Sequence, residues 1–272
     1  MQRTFYEKMK KIILFFGILA LSTSIFTSCN EDEEENQKKD EPQVSNQRRL
    51  VSSTFKTAGI YNMETHERDT IRVNANYEYD SEGRVIKVYD INDYQENYDY
   101  NGLVKTFFKG GVETAKGELN VEGSIVSDSA YDGSYKRNYF YDESGYLKEY
   151  NSMFVVDENN SSLCYCSYTW QDGNIVSCVV RYGGTNNGAA MELDVSDHEY
   201  VYTNETVSTP IENKSGLLFL FDNGLDFSLA FGKTCKNLPV AINRNKIEWT
   251  LDDEGYPVKV VANNITMTFT WK

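Results

Sequence analysis

The chain has 272 residues, with 41 Asp and Glu against 27 Lys and Arg, and a formal net charge of −14. So acidic a body repels phosphate backbones, which excludes nucleic acid as a partner. With 20 Tyr and 14 Phe against 4 Pro, it favours strands over helices, and its length suits one all-β domain behind a tether.

The first residues are basic, with Arg3, Lys8, Lys10 and Lys11 against Glu7, and lead into the apolar IILFFGILAL from Ile12 to Leu21. The oily run ends at Phe26, short of the roughly 20 residues a bilayer-spanning helix needs, so it reads as a signal peptide over residues 1–28. Met9 opens a compact form of the same signal and is a second candidate start. The signal closes on Phe26-Thr27-Ser28-Cys29, which resembles the bacterial lipoprotein box, with Phe26 where Leu is commoner. That resemblance implies a diacylglycerol on the Cys29 sulfur, cleavage before it, and acylation of the new amine. Several acyl chains, at about 0.8 kcal/mol per buried methylene, hold firmly where one does not.

Glu31 to Glu35 follow without a basic residue among them. This cluster resembles the signal that sends Bacteroidetes lipoproteins to the outer leaflet of the outer membrane, and implies a body facing the cell exterior. The alternative is a solvated tether on the periplasmic face. Residues 29–49 have almost no apolar content and read as a charge-extended spacer, leaving 50–272 as a single β domain.

Within that domain one pattern recurs: alternating aromatics, an Asp or Asn turn with Gly, then alternating apolars. It begins at Tyr77, Tyr98, Tyr139, Tyr168 and Trp249, and three copies share Asp-x-x-Gly, from Asp80, Asp142 and Asp252. The Asp side chain accepts backbone N–H groups while Gly supplies a positive φ, so each copy predicts a bulged hairpin. The whole predicts an antiparallel meander of about ten to fourteen strands that curls into an open or partly closed barrel. Ser215 to Phe231 breaks the pattern with a dense apolar run. It reads either as a buried strand pair around Asn223-Gly224 or as a short helix plugging the sheet; the exit toward Pro239 favours the helix.

The acid-flanked lipidation site, the Tyr-x-Tyr-Asp-x-x-Gly hairpins and the stretches Phe231-Gly232-Lys233 and Lys236-Asn237-Leu238-Pro239 together resemble a domain-of-unknown-function family of Bacteroidetes lipoproteins. That family is described as having a porin-like fold. The resemblance implies an antiparallel barrel over about residues 50 to 272, a domain-scale span, and carries no activity and no catalytic residues with it.

Chemistry-bearing motifs are sparse. His66 and His198 are the two histidines, and neither has zinc-ligand neighbours, so no metal or other cofactor is expected. Asp194, Asp197 and His198 lack a nucleophile elbow, and Glu248 or Asp253 would need a facing carboxylate to serve a glycosidase. Asp157 to Ser162 and Phe221 to Asp226 cluster oxygens but read as turns rather than calcium loops. Once Cys29 is acylated, Cys164, Cys166, Cys178 and Cys235 remain. A bulged Asp172-Gly173 turn places Cys166 and Cys178 on one sheet face as a candidate disulfide, the alternative being that all four are small buried residues. Asp69-Thr70-Ile71 and Asp128-Ser129-Ala130 resemble the O-glycosylation sequon of these exported proteins, which makes Thr70 and Ser129 candidate glycan sites.

The expectation is therefore a non-enzymatic, lipid-anchored binding or interaction module with a glycan or protein ligand. Its stacking face is sought at Tyr98, Tyr100, Tyr139 and Tyr141. A carbohydrate-active hydrolase and a purely structural envelope component are the alternatives.

Overall fold

The computed structural model describes residues 48–62, 67–90, 95–109, 111–191, 194–220, 226–228, 232–263 and 265–272. Cys29, the acidic cluster and His66 lie outside them. The chain opens with β1 (Leu50–Asn62), β2 (Glu67–Tyr79), β3 (Val85–Tyr89), β4 (Gln95–Asn101), β5 (Val104–Lys109) and β6 (Val112–Leu119). It continues through β7 (Ile125–Ala130), β8 (Tyr135–Tyr141), β9 (Leu147–Asp157), β10 (Asn160–Gln171) and β11 (Asn174–Asn186). Short pieces follow: β12 (Ala189–Ala190), the longer β13 (Asp194–Val201), β14 (Ile211–Glu212), β15 (Leu218–Leu220), β16 (Asp226–Ser228) and β17 (Asn237–Leu238). The last run is β18 (Ala241–Ile242), β19 (Asn245–Leu251), β20 (Pro257–Ala262) and β21 (Ile265–Trp271).

From β1 to β11 each strand pairs antiparallel with the next; β11 then pairs β13, and the two-residue β18 joins β13 to β19. β21 pairs β1 from Leu50↔Trp271 to Thr57↔Ile265, so the sheet closes as a 16-strand barrel. Pairing the first strand with the last removes both as edges that could template pairing with another chain, while the seam between β13 and β19 is bridged by the two residues of β18. The expectation of an all-β antiparallel barrel holds, with more strands than the recurring hairpins alone indicate.

The turns form as their chemistry dictates. Asp80 Oδ1 accepts N–H from Glu82 and Arg84, Asp142 Oδ1 from Ser144 and Tyr146, and Asp252 Oδ1 from Glu254 and Tyr256. Gly83, Gly145 and Gly255 sit at φ 86°, 85° and 88°. A fourth copy uses Asn: Asn120 Oδ1 accepts from Ser124 N–H, with Gly123 at φ 80°.

The recurring aromatics have a common task. Near the same barrel end, an inward-leaning Tyr or Trp on one strand of a pair donates to the backbone carbonyl at the start of the other. Tyr79 Oη donates to Leu50 O at 2.7 Å, Tyr100 to Val85 O at 2.9 Å and Tyr141 to Ile125 O at 2.7 Å. Trp170 Nε1 reaches Leu147 O, and Trp271 Nε1 reaches Pro257 O, each at 2.7 Å. A buried ring brings its area, and the polar tip must find a partner, so these residues latch neighbouring strands. In the β5–β6 pair the residue at this end is Leu119, which has no polar tip, and there the backbone N–H of Leu119 bonds Leu103 O directly. Tyr141→Phe keeps the ring and loses one hydrogen bond, so urea unfolding is expected to show a loss of about 0.5–1.5 kcal/mol.

Chain entry and exit lie at this end as well. Arg49 N–H bonds Lys272 O, and Arg48 Nη1 is 2.6 Å from Asp252 Oδ2 in the β19–β20 turn. The described residues between β13 and β18 fold over the same end as a cap, where Lys233 N–H bonds Gly145 O and Lys236 N–H bonds Gly173 O. The helix expected within 215–231 is not formed among the described residues of that range: Leu218–Leu220 pairs with Asp226–Ser228, Phe219 opposite Phe227. Leu217 to Leu220 are all buried, so both faces of that extended segment are covered, and a run of this kind carries no 3.6-residue period to hold a helix. Phe219 packs edge-on against Trp249 and Phe269 at 4.8 and 5.9 Å, which fixes the cap against the lumen wall.

Candidate functional site

Strand alternation decides what the lumen contains. On β4 the inward phase is Glu96, Tyr98, Tyr100; on β5 it is Lys105 and Phe107; on β8 it is Tyr135, Arg137, Tyr139. Cross-strand register then sets Tyr100 opposite Lys105, Lys105 opposite Gly117, Gly117 opposite Asp128, Asp128 opposite Arg137, and Arg137 opposite Ser152. One belt around the inner wall therefore carries charge among aromatic rings. A Cβ on Gly117 would stand 3.2 Å from Ile125 Cδ1 and 3.3 Å from Phe107 Cε2, so the missing side chain is the space those two fill.

Asp128 and Arg137 form a two-pronged pair, with Nε 2.9 Å from Oδ1 and Nη2 on Oδ2. Both are buried, and the guanidinium lies 4.9 Å from the centre of the Tyr135 ring. Burial works against the Arg137 charge, but the Asp128 carboxylate outweighs it, and the group is held well above its ordinary value. Lys105 is 0 % exposed, and its Nζ has no hydrogen-bond partner. That nitrogen sits 3.8 Å from the centre of the Tyr98 ring, 5.0 Å from Phe107 and 5.6 Å from Tyr100. Burial pushes the amine well below its ordinary value; the Glu96 and Asp128 carboxylates pull the other way, and Arg137 adds to the lowering. Tyr98 Oη donates to Glu96 Oε2 at 2.8 Å. Ser152, beside Arg137, has an Oγ that is buried and without a hydrogen-bond partner.

The four tyrosines sought as a stacking face belong to this interior. Tyr98 and Tyr139 are 6 % and 5 % exposed; Tyr98 meets Phe107 edge-on and Tyr139 stacks on Tyr150. Tyr100 and Tyr141 are half-buried, with both hydroxyls committed to the latches. None of the four offers an open ring face. Among the large apolar side chains that do reach solvent, Phe140, Met153, Tyr165 and Val195 lie on the outer wall. Met153 pairs across strands with Leu163, and Tyr165 with Arg181, which in turn faces Val195.

Cys166 and Cys178 do share the inner face through the bulge after Thr169, but Cys166 stands opposite Val180 and Cys178 opposite Tyr168. That diagonal is about 7–8 Å between Cα atoms, beyond the usual disulfide span. All four cysteines are free thiols and buried, and the Sγ atoms of Cys164 and Cys166 are 3.7 Å apart. Burial pushes the Cys235 thiol up to about 11.

Ser129 points outward, half-buried between Lys116 and Lys136, while Asp128 of its triplet is turned inward to Arg137. Thr70 lies on β2 opposite Ala58. His198 is on β13 with Nδ1 3.3 Å from Asn243 Nδ2, and Asp197 is on the opposite face of that strand. Glu248 is exposed and paired with Lys246, whose hydrogen bond holds its carboxyl below the ordinary range. Asp157 Oδ1 accepts from Asn159 N–H and Asn160 Nδ2, as a turn residue does.

The charged belt is what reading the sequence missed, although a signal was present. Lys105 and Arg137 each fall in the aromatic phase of their strand, where a solvated charge does not belong.

No protein-family model and no curated protein matches the sequence. Among solved structures, a porin-like protein from Bacteroides uniformis ATCC 8492 aligns with a TM-score of 0.54 at 12% identity, over 82% of this chain and 98% of that one. A porin-like protein from Bacteroides vulgatus ATCC 8482 aligns at 15% identity with a TM-score of 0.49, over 83% and 99%. The first likeness is one of fold, and it joins this barrel in architecture to a porin-like structure from Bacteroides.

Proposed function

We propose that the chain is a lipoprotein whose barrel faces water, acylated at Cys29, held on the outer membrane toward the cell exterior, and serving as a non-catalytic binding module for a glycan or protein. The supporting observation is the outer wall. Lys56, Lys116, Lys136, Lys148, Lys246 and Lys259 all project outward and are exposed. A lysine or arginine on the lipid face of a membrane barrel costs about 2–4 kcal/mol at the midplane, and a porin keeps its polar side within. This barrel sets ammonium groups on its outer wall and lines its lumen with rings around one belt of buried charge. Such a wall does not suit hydrocarbon, so a membrane address has to be supplied by something else, and acyl chains on Cys29 supply it. The exposed Tyr165, between Asn151 and Arg181, gives a partner an aromatic face with polar flanks.

A barrel beginning at Arg48 is expected to stay in solution without detergent and to leave planar bilayers non-conducting. The full chain should take up labelled fatty acid, and Cys29→Ala should abolish the label and release the protein from envelopes. Conductance, or solubility in detergent alone, would overturn the reading. A glycan array probed with this barrel, beside its Tyr165→Ala variant and a hydrolysis assay on the hits, addresses ligand and catalysis.

A further inference from the structure

The lumen holds an amine that nothing in the binding reading uses. Lys105 is fully buried, has no hydrogen-bond partner, and looks onto the faces of Tyr98, Phe107 and Tyr100. Each wall element around it can be named. β4 supplies Glu96, Tyr98 and Tyr100; β6 supplies Gly117, which brings no side chain; β7 supplies Asp128; β8 supplies Tyr135, Arg137 and Tyr139. Of the two carboxylates, Asp128 is already bound to Arg137 through both oxygens, and Glu96 accepts the Tyr98 hydroxyl. Neither carboxylate is within hydrogen-bond distance of Nζ.

We propose that Lys105 is a proton-sensitive latch: uncharged, it lets the β4–β8 wall pack closely around it, and on taking up a proton it loosens that wall before the rest of the barrel. An ammonium wants three hydrogen bonds or water, and here it meets ring faces, which attract it but do not replace hydration.

Burial lowers the proton affinity of this amine in the folded chain, while the unfolded chain keeps the proton up to about pH 10.4. Between the folded value and that point, unfolding takes up a proton. Stability therefore climbs as pH rises through that window and falls as pH drops; below the folded value both states are protonated and the full penalty persists. Arg137 keeps its charge throughout, so it opposes protonation at every pH.

The experiment uses the full chain and its Lys105→Met variant, which keeps the length of the stem and drops the charge. Denaturant midpoints are followed from pH 6 to 9. The wild type is expected to change its folding equilibrium by up to about tenfold per pH unit relative to the variant wherever the window is open. The variant should be the more stable of the two at neutral pH. Parallel curves, or a less stable Met variant, would overturn the proposal. Lysine labelled with 15N gives a check that needs no mutation. One Nζ resonance that titrates at lower pH than those of the other lysines is expected, and its absence would be fatal. Hydrogen exchange should accelerate in β4–β8 before β19–β21 on acidification; uniform acceleration would refute the location.

Discussion

Replacing Asp128 by Leu is expected to cost about 3–5 kcal/mol of stability, and Arg137→Met somewhat less, because each leaves a charge stranded in the lumen. The order follows from what the stranded partner can do. Arg137 cannot shed its proton, so Asp128→Leu leaves a permanent cation under Tyr135 with no counter-ion, and an amine nearby that is already pressed toward neutrality. Arg137→Met leaves Asp128, which can take a proton or draw one onto Lys105, since Arg137 is one of the groups that keeps that amine uncharged. The double variant Asp128→Leu, Arg137→Met should recover the loss and reach or exceed the wild type, as an apolar pair of similar size avoids desolvation altogether. Urea unfolding of the four proteins closes the cycle. Equal losses from the two single variants, or losses that add in the double, would show that the pair does not act as a buried unit.

The hairpins were legible because their chemistry is local. Asp80, Asp142 and Asp252 each meet their own backbone within four residues, so spacing alone carries the turn. The aromatic phase was legible too, but not what it faces. Tyr98 and Tyr141 read equally well as a stacking surface or as lining, and the choice depends on which way a closed sheet curves, a property of all the strands together. Closure itself rests on Leu50 meeting Trp271 and on the two residues of β18, contacts between distant parts of the chain that no local pattern announces. The run from Leu217 to Leu220 misled for a related reason. Apolar on both sides, it has neither period, and only the cap's burial between wall and lumen makes it a strand. The belt of Lys105, Asp128 and Arg137 lies at the middle of this range: a charge in phase with tyrosines is visible in the sequence, while the register that sets Asp128 of β7 opposite Arg137 of β8 is not.

Gly232→Ala is expected to unseat the cap at a cost of about 2–4 kcal/mol, the sum of a left-handed backbone and a steric clash. Gly232 has φ 58°, and a Cβ there would stand 2.4 Å from Gly145 O and 2.9 Å from Tyr141 Cε1. The first of these cannot move aside cheaply, because Gly145 O accepts the Lys233 N–H at 3.0 Å and Tyr146 is bridged to Gly232. Those bonds dock the cap on the β8–β9 turn. Gly133→Ala is the matched control, with φ 74° and nothing within 4 Å of the added carbon, so it should show the backbone cost alone, about 1–2 kcal/mol. Stability does not distinguish a loosened cap from a generally weakened barrel, but Cys235 does. It is buried in the cap beside Ile175 N–H and the Tyr202 hydroxyl, and burial holds its thiol near 11, so in the intact protein it should resist a thiol reagent. With the cap displaced, Cys235 should label first, ahead of Cys164, Cys166 and Cys178 on the barrel wall, and proteases should cut between residues 202 and 240. Labelling of all four thiols together, or equal losses in the two alanine variants, would mean that the cap and barrel unfold as one piece and that the Gly232 contact is not what holds the end shut.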